Sequence, residues 1–446
     1  MIAYGLDIGS SSIKGAVLDL ATSTIHPPVL RPFPAPVRGL PSKWIEIDPF
    51  AVIQATGEVL SLLSDQSPNA ELLCVSAQMG GLILLEEQGN PLTNYLSWRD
   101  QRTLDETGSG SSFLEKVREH WITANYLSEL GQELQPGSTT ALLGWLQSQG
   151  QLPRHATPAT IGDFVVSHLV GHLVPMHATH AIGMLDLRND TWHRPALDLL
   201  KLNALQLPEL LLSERCVGET RLAGRKLQVF GSYGDHQCAL RGAGLLSDEL
   251  SLNISTGSQV SRRSTRFVPG PYQSRKYFFG DNLDTVTHLP AGRSLNVLVD
   301  LLTELARIQG VPLQNPWDTI NQLVSSVPDT DLHVDLSFFR TPLGERGRID
   351  HISTENLSVG TLFHAAFRAM ADNYAQIANR FCPPLWNSIV LSGGLTQNAP
   401  RLRALLKERF SAPLRESKGE ETLAGLLDIA LASVPSPPQY VRDHMR

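Results

Sequence analysis

One short stretch, YGLDIGSSSIKGAVLD (Tyr4–Asp19), gathers a carboxylate, three successive hydroxyls, glycines and a lysine. Gly and Ser let a chain turn tightly enough to aim several backbone N–H groups at one anion. Gly9, Ser10, Ser11 and Ser12 suit such a cradle, Lys14 can add a positive charge, and Asp7 offers the hard oxygen that Mg2+ takes. The segment lacks the G-x-x-x-x-G-K-[ST] spacing of a Walker A loop. On these residues alone, a plain Gly/Ser hairpin with a surface lysine fits equally well.

Three further stretches carry comparable chemistry. In GSYGDHQCALRGAG, Asp235 follows a short strand expected at 229–231 and opens a helix of small residues. A carboxylate there is commonly a helix cap, worth about 0.5–2 kcal/mol. It also suits a base that orients an attacking hydroxyl and accepts its proton late in phosphoryl transfer. Both roles stand open at this level. NISTGSQVS offers Thr256, Gly257 and Ser258 as a second hydroxyl-rich tip. LSGGLTQNAP sets Gly393–Gly394 after an apolar run, where backbone can approach a flat ligand and Asn398 can bond it. An ordinary turn accounts for either of these two taken singly.

These residues need elements to hold them. Tyr4, Leu6 and Ile8 alternate with Gly5 and Asp7, and Ala16 and Leu18 alternate with Val17 and Asp19, the period-two pattern of two strands. Leu250–Ser264 repeats the form after a small-residue seam, Gly242–Ser247. The repetition predicts two related halves, 1–245 and 246–446, facing a shared cleft. Ser358 caps a predicted helix in which Leu362, Phe363, Ala366, Met370, Tyr374, Ile377 and Phe381 recur at helical steps. A strand at Ile389–Leu391, a Gly-Gly loop and a helix from about Pro400 follow. SLNVLVDLLTELARIQG reads as a helix closed by Gly310, and Pro27–Pro41 and Pro435–Pro438 read as a surface loop and a tail. Strands alternating with helices indicate α/β layering.

Bulk properties exclude several classes. The 446 residues are 42% hydrophobic and 18% charged, a globular balance with room for two or three domains. Net charge is −7, and the densest basic stretch, Ser261–Phe267, is too short to argue for nucleic acid. No apolar run approaches the roughly 20 residues that cross a membrane, and no secretion signal is evident. Cys74, Cys216, Cys238 and Cys382 have neither metal-knuckle nor redox spacing, so a cytoplasmic location is expected.

The order of the four chemical stretches is that of an actin-like, ribonuclease-H-fold phosphotransferase. With AQMGG (Ala77–Gly81), LSWRDQRT (Leu96–Thr103), TPLGERGR (Thr341–Arg348) and GEETLAGLLDIAL near the end, the chain resembles the FGGY carbohydrate kinases over nearly its whole length. The resemblance implies an α/β protein of two ribonuclease-H-like domains, of the actin/hexokinase ATPase type, with an interdomain cleft. It implies ATP and Mg2+ as cofactors and a small-molecule sugar as the acceptor. It places Asp7 at the metal, Gly9, Ser10, Ser11, Ser12 and Lys14 around the transferring phosphate, and Thr256 and Gly257 at a second phosphate hairpin. It sets Gly292 and Asn296 near the nucleotide, Gly394 and Asn398 at the adenosine, Gln78, Met79, Trp98 and Asp100 beside the sugar, and Asp235 as base.

SAQMGG resembles the GQMHG of xylulose and sedoheptulose kinases rather than the Arg-Glu pair of glycerol kinases, with Gly80 at the expected histidine. LNISTGSQVS, TPLGERGRIDHISTENLSVGTL and TVTHLPAGRSLNVLVDLL look closest to sedoheptulokinases, which favours a seven-carbon ketose with xylulose as competitor. A zinc site on His168 and His172 is the rival metal reading, without the Glu of H-E-x-x-H or a nearby Cys. A non-catalytic sugar sensor is the rival of another class; it would be expected to lose Asp7 or Asp235, and both are present. A hexokinase- or acetate-kinase-like enzyme is opposed by the Gln-Met and Gly-Glu-Arg segments. Oligomeric state is not legible, with a homodimer as one option.

Overall fold

The alternating residues near the N-terminus form β1 (Ile2–Ile8) and β2 (Ser12–Asp19), antiparallel, with Asp7 opposite Lys14. The structure is a computed structural model, and it describes residues 1–106, 110–381, 386–417 and 419–434. Cys382 and the Pro435–Pro438 tail lie outside the described residues. β3 (Thr24–Ile25) and β4 (Val29–Pro32) both pair with β2. On the other side of β1, β5 (Ala70–Ala77) runs parallel to it, then β7 (Arg225–Gly234) parallel to β5, with β6 (Cys216–Leu222) antiparallel at the edge. The strand before Asp235 is therefore longer than its apolar run suggested.

Because β1 is central, both its faces are covered. Tyr4, Leu6 and Ile8 join a core with residues of α1 (Pro49–Gln66) and α2 (Ile161–Val170). On the opposite face β1 itself contributes only the small Ala3, beside Ala16 and Leu18 of β2 and Leu72 and Cys74 of β5. A parallel, doubly covered strand reads as nearly continuous burial, which is why its alternation is one of size rather than of polarity. α2 stops at a left-handed Gly171, so His168 and His172 do not share a helix. Among the described residues no group of three or more His, Cys, Asp or Glu could hold a metal ion.

α3 (Asp235–Gly242) leads into a second sheet built on the same plan. Its first strand, β8 (Glu249–Ile254), pairs antiparallel with β9 (Ser258–Ser264). The meander continues through β10 (Gln273–Lys276) and β11 (Asn282–Leu289), giving the order β10-β11-β9-β8. After α4 (Gly292–Ile308) and α5 (Val359–Ala378), β12 (Ser388–Ser392) returns parallel to β8. Ser358 caps α5 in a reciprocal capping box with Thr361. Instead of a Gly-Gly loop, Gly393, at φ 89°, turns directly into α6 (Gly394–Asn398), and α7 (Pro400–Arg409) follows. The edge strand β13 (Leu414–Glu416) pairs parallel with β12.

The last helix, α8 (Glu421–Ser433), crosses back to the first sheet and packs between it and α3. Two glycines permit the crossing. A Cβ on Gly425 would lie 2.0 Å from the Cys238 carbonyl oxygen, and one on Gly242 would lie 1.9 Å from that of Glu421. Both distances are far inside van der Waals contact, so the two halves are joined by backbone-to-backbone packing.

Candidate active site

In the first half the chemical residues collect where the parallel strands end. Asp7 is the penultimate residue of β1, and its Oδ1 accepts a hydrogen bond from Ser76 Oγ on β5 at 2.9 Å. The Gln78 amide, one residue past β5, donates to Ile8 O at 2.9 Å. β7 ends at Gly234, paired with Ala77, and Asp235 opens α3. The carboxyl ends of parallel strands are where open α/β sheets bind ligands.

Asp235 is not the helix cap. That position belongs to Gly234, and Asp235 Oδ1 instead accepts from the adjacent His236 N–H at 2.7 Å. Burial pushes its carboxyl up to about 7, and the negative charge of Asp7 pushes the same way, against the His236 N–H and Arg275. Asp7 is pushed up to about 6, first by burial and also by Glu420, opposed by Ser76 and Lys14. Asp235 thus senses the Asp7 carboxylate across a poorly solvated space, and both titrate far closer to physiological pH than a free carboxylate does. Oxygen donors starved of positive charge fit a hard cation. Mg2+ typically uses one or two carboxylates and completes its shell with phosphate and water.

The hairpin tip between β1 and β2 is closed by Gly9 N–H donating to Ser12 O at 3.0 Å, with Ser11 exposed at its crest. Lys14 is engaged: its Nζ pairs with Glu420 Oε2 at 2.8 Å, just ahead of α8. The bridge ties the two halves together and takes up one of the three N–H donors of Lys14.

Just past β5, Gln78 is buried and its Nε2 has no hydrogen-bond partner among the described residues. A buried amide without a partner costs about 1–3 kcal/mol, so the position is suited to a ligand oxygen. Met79 lies against Gly234, its sulfur 3.0 Å from where a Cβ there would stand. Gly80 and Gly81 both adopt positive φ, and a Cβ at Gly81 would strike the Tyr95 hydroxyl at 2.4 Å. Trp98 is 37% exposed, leaving its ring open to solvent.

Asp100 departs from the sugar-contact expectation. It is fully buried, with each oxygen accepting two bonds: Oδ1 from Arg102 N (2.8 Å) and Nε (2.9 Å), Oδ2 from Ile45 N (2.6 Å) and an Arg102 Nη (2.9 Å). Arg102 also pairs with Glu46 at 2.8 Å and stacks on Trp44 at 4.2 Å. All the acceptor sites of Asp100 are consumed in fixing this loop.

In the second half, a parallel assembly forms at the end of β8. Ser255 N–H donates to Gly257 O at 3.0 Å, leaving Thr256 and Gly257 exposed at the tip. The first amides of α4 clasp that tip from behind, Gly292 N to Ser255 O (3.0 Å) and Arg293 N to Thr256 O (2.8 Å). A Cβ on Gly393 would fall 2.4 Å from Ile254 O, so this turn too abuts the end of β8. Gly394 faces open space, and Asn398, exposed, donates from Nδ2 to Gly394 O at 2.9 Å. Asn296 is exposed on the first turns of α4.

The structure adds residues that pattern reading missed. Tyr95 packs beneath the Gly80–Gly81 turn and senses the Asp235 charge. Arg275 of β10 is ion-paired to the buried Glu133 and reaches His236 Nδ1 at 3.3 Å, while Ser274 N–H bonds Gly131 O at 2.9 Å. Nothing local marks Glu133 and Arg275 as partners. Glu420 stood in a matched segment, but only as the start of a packing helix.

Residues 2–242 match the N-terminal domain of the FGGY family of carbohydrate kinases. The chain belongs to that family. It is 24% identical over 281 residues to a xylulose kinase of Staphylococcus xylosus, covering 57% of this chain and 53% of that one. It is 23% identical over 418 residues to a sedoheptulokinase of Mus musculus, covering 83% and 84%. The chain thus spans about half the length of the xylulose kinase and most of the sedoheptulokinase. A solved gluconate kinase from Lactobacillus acidophilus superposes with a TM-score of 0.81 at 19% identity, over 97% of this chain and 89% of that one. The fold is accordingly the two-domain actin/hexokinase-like ATPase fold. Among the described residues no helix is long and apolar enough to cross a membrane.

Proposed function

We propose that this FGGY-family chain transfers the γ-phosphoryl group of ATP to a terminal hydroxyl of a ketose, with sedoheptulose the preferred acceptor and xylulose its nearest competitor. In this reading residues 1–245 hold the sugar and the base, and 246–446 hold the nucleotide. The observation that carries it is Asp235, a strand-end carboxylate pushed up to about 7 beside a second carboxylate, Asp7. A base poised near the working pH is what proton transfer from an alcohol needs.

Asp235 accepts a hydrogen bond from the acceptor hydroxyl and aligns its oxygen on the γ-phosphorus. As the new O–P bond forms and the bond to the bridging oxygen of ADP breaks, the hydroxyl proton passes to Asp235. Gln78 Nε2 supplies a donor to another sugar oxygen. The tip amides at Gly9–Ser12 and Thr256–Gly257, with the remaining N–H donors of Lys14, spread the developing phosphate charge. Mg2+, for which Asp7 is the first ligand, supplies further neutralisation of the triphosphate when bound. Contacts such as Glu133–Arg275 draw the halves together and exclude water, which limits wasteful ATP hydrolysis. Gly80 stands where a histidine is expected, so one polar contact to the sugar has to come from another residue.

The test is an ADP-release screen over ketoses, polyols and aldoses of three to seven carbons. Sedoheptulose should give the highest kcat/KM. A higher value with xylulose would overturn the sugar assignment, and no sugar-dependent ADP release at all would overturn the activity.

A further inference from the structure

The residues that follow Asp235 are held from the other half of the chain. α3 starts at the end of β7 in the first sheet, yet its first turn is bonded by β9 and β10 of the second. His236 is buried, and both its ring nitrogens face second-half side chains: Arg275 lies 3.3 Å from Nδ1 and Ser261 Oγ 3.3 Å from Nε2. Gln237 is fully buried and donates from Nε2 to Lys276 O at 3.0 Å and to Thr179 O of the first half at 3.4 Å. One placement of protons satisfies the whole set. A guanidinium only donates, so Nδ1 of His236 accepts from Arg275 and the ring proton sits on Nε2. Nε2 then donates to Ser261 Oγ, Ser261 to Thr285 Oγ1 at 2.8 Å, and Thr285 to Val260 O at 3.2 Å. This needs a neutral ring, and burial, with Arg275 beside it, pushes His236 down to about 3. Arg275 is anchored in turn by Glu133 of the first half.

We propose that His236 and Gln237 are positioning residues through which the second half aims the Asp235 carboxylate when the two halves are closed. The link is the backbone of His236, whose N–H donates to Asp235 Oδ1 at 2.7 Å, so whatever fixes this residue fixes the direction of the carboxylate. On the other side of Asp235, the Gly234 N–H donates to Thr179 Oγ1 at 2.9 Å, a bond made wholly within the first half. When the halves part, the Arg275, Ser261 and Lys276 contacts are lost together, and the start of α3 keeps only its ties to Thr179. Asp235 is thus aligned in the closed form, where sugar and nucleotide are enclosed together, and loosened on opening. The inference rests on the reading of Asp235 as the base; His236 and Gln237 act through it.

Initial-rate kinetics on the full chain, with ATP saturating and sedoheptulose as acceptor (xylulose if the screen prefers it), separates positioning from packing. His236→Phe should lower kcat by roughly ten- to hundredfold, the scale of a misaligned reacting group, with KM for sugar and ATP within about twofold of wild type. Asparagine offers an acceptor at the Nδ1 position and glutamine a donor near the Nε2 position, so His236→Asn and His236→Gln should each recover part of the loss. Ser261→Ala removes the same bond as His236→Asn, so the two combined should be no slower than the slower of them alone. Wild-type turnover in His236→Phe overturns the proposal, as do His236→Asn and His236→Gln variants as slow as His236→Phe. If His236→Phe does not fold, Ser261→Ala decides, and an unchanged kcat there refutes the positioning role. A combined variant much slower than either single one would refute the shared network. Asp235→Asn in the same series keeps the two readings apart. Low turnover there with normal turnover in His236→Phe sinks the positioning role alone, whereas normal turnover in Asp235→Asn sinks the base and the positioning with it.

Discussion

Asp235→Asn should move activity and stability in opposite directions, because one feature of the structure is responsible for both. Raising the carboxyl from 3.8 to about 7 sets about 4 kcal/mol against its ionisation in the folded chain. The unfolded chain ionises near 3.8, so wild-type stability falls as pH rises from there and levels off above about 7. Asn carries no charge and escapes this loss. The full figure is an upper bound, since part of the shift is the repulsion from Asp7, and Asn gives up the hydrogen bond that the carboxylate accepts from the His236 N–H. Half of it, about 2 kcal/mol, corresponds to a gain in Tm of roughly 4–8 °C for domains of this size. Scanning calorimetry without divalent cations should show that gain at about pH 8 and almost none near pH 4. Over the same series kcat should drop by about 10²–10⁴, some 3–5 kcal/mol of barrier, as expected for loss of a general base. Wild-type-like turnover would remove Asp235 from the chemistry. A Tm difference that is flat with pH would show that Asp235 is not held near neutrality, and the reasoning from burial would fail.

Three further outcomes follow from neighbouring features. Asp7→Ala should cripple turnover and raise the Mg2+ concentration required, and a wild-type Mg2+ titration would contradict a metal role for Asp7. Asp100→Ala should cost about 1–3 kcal/mol by leaving the Ile45 and buried Arg102 N–H groups without acceptors and Arg102 with Glu46 as its only carboxylate partner, while KM for the sugar in the folded fraction stays unchanged; a large KM rise with normal urea stability would restore Asp100 to the sugar site. Gly425→Ala should destabilise by about 1–3 kcal/mol, since its methyl group meets the Cys238 carbonyl oxygen 2.0 Å away; an unchanged denaturation midpoint would show that the α3–α8 crossing yields.

Wherever a feature depends on neighbours along the chain, it was legible. The alternation on either side of Ser10–Ser12 and of Thr256–Gly257 gave two strand pairs with polar tips, and their repetition pointed to two related halves. The apolar steps after Ser358 specified a long helix, because burial on one face needs only a 3.6-residue period and a cap. The identity of the chemical groups was legible as well, since a carboxylate or a glycine is what it is wherever the chain carries it.

Their states were not. Whether Asp235 caps a helix is decided by the turn at Gly234, and how readily it ionises depends on burial and on Asp7, far away in sequence. Lys14 and Asp100 look alike in a motif as charges near a ligand, yet one bridges to Glu420 and the other is saturated by Arg102 and Ile45. The contact between Gly242 and Gly425 and the pairing of Glu133 with Arg275 have no local signature at all. Desolvation and pairing set the charge and the freedom of a side chain, and both are produced by segments that only folding brings together.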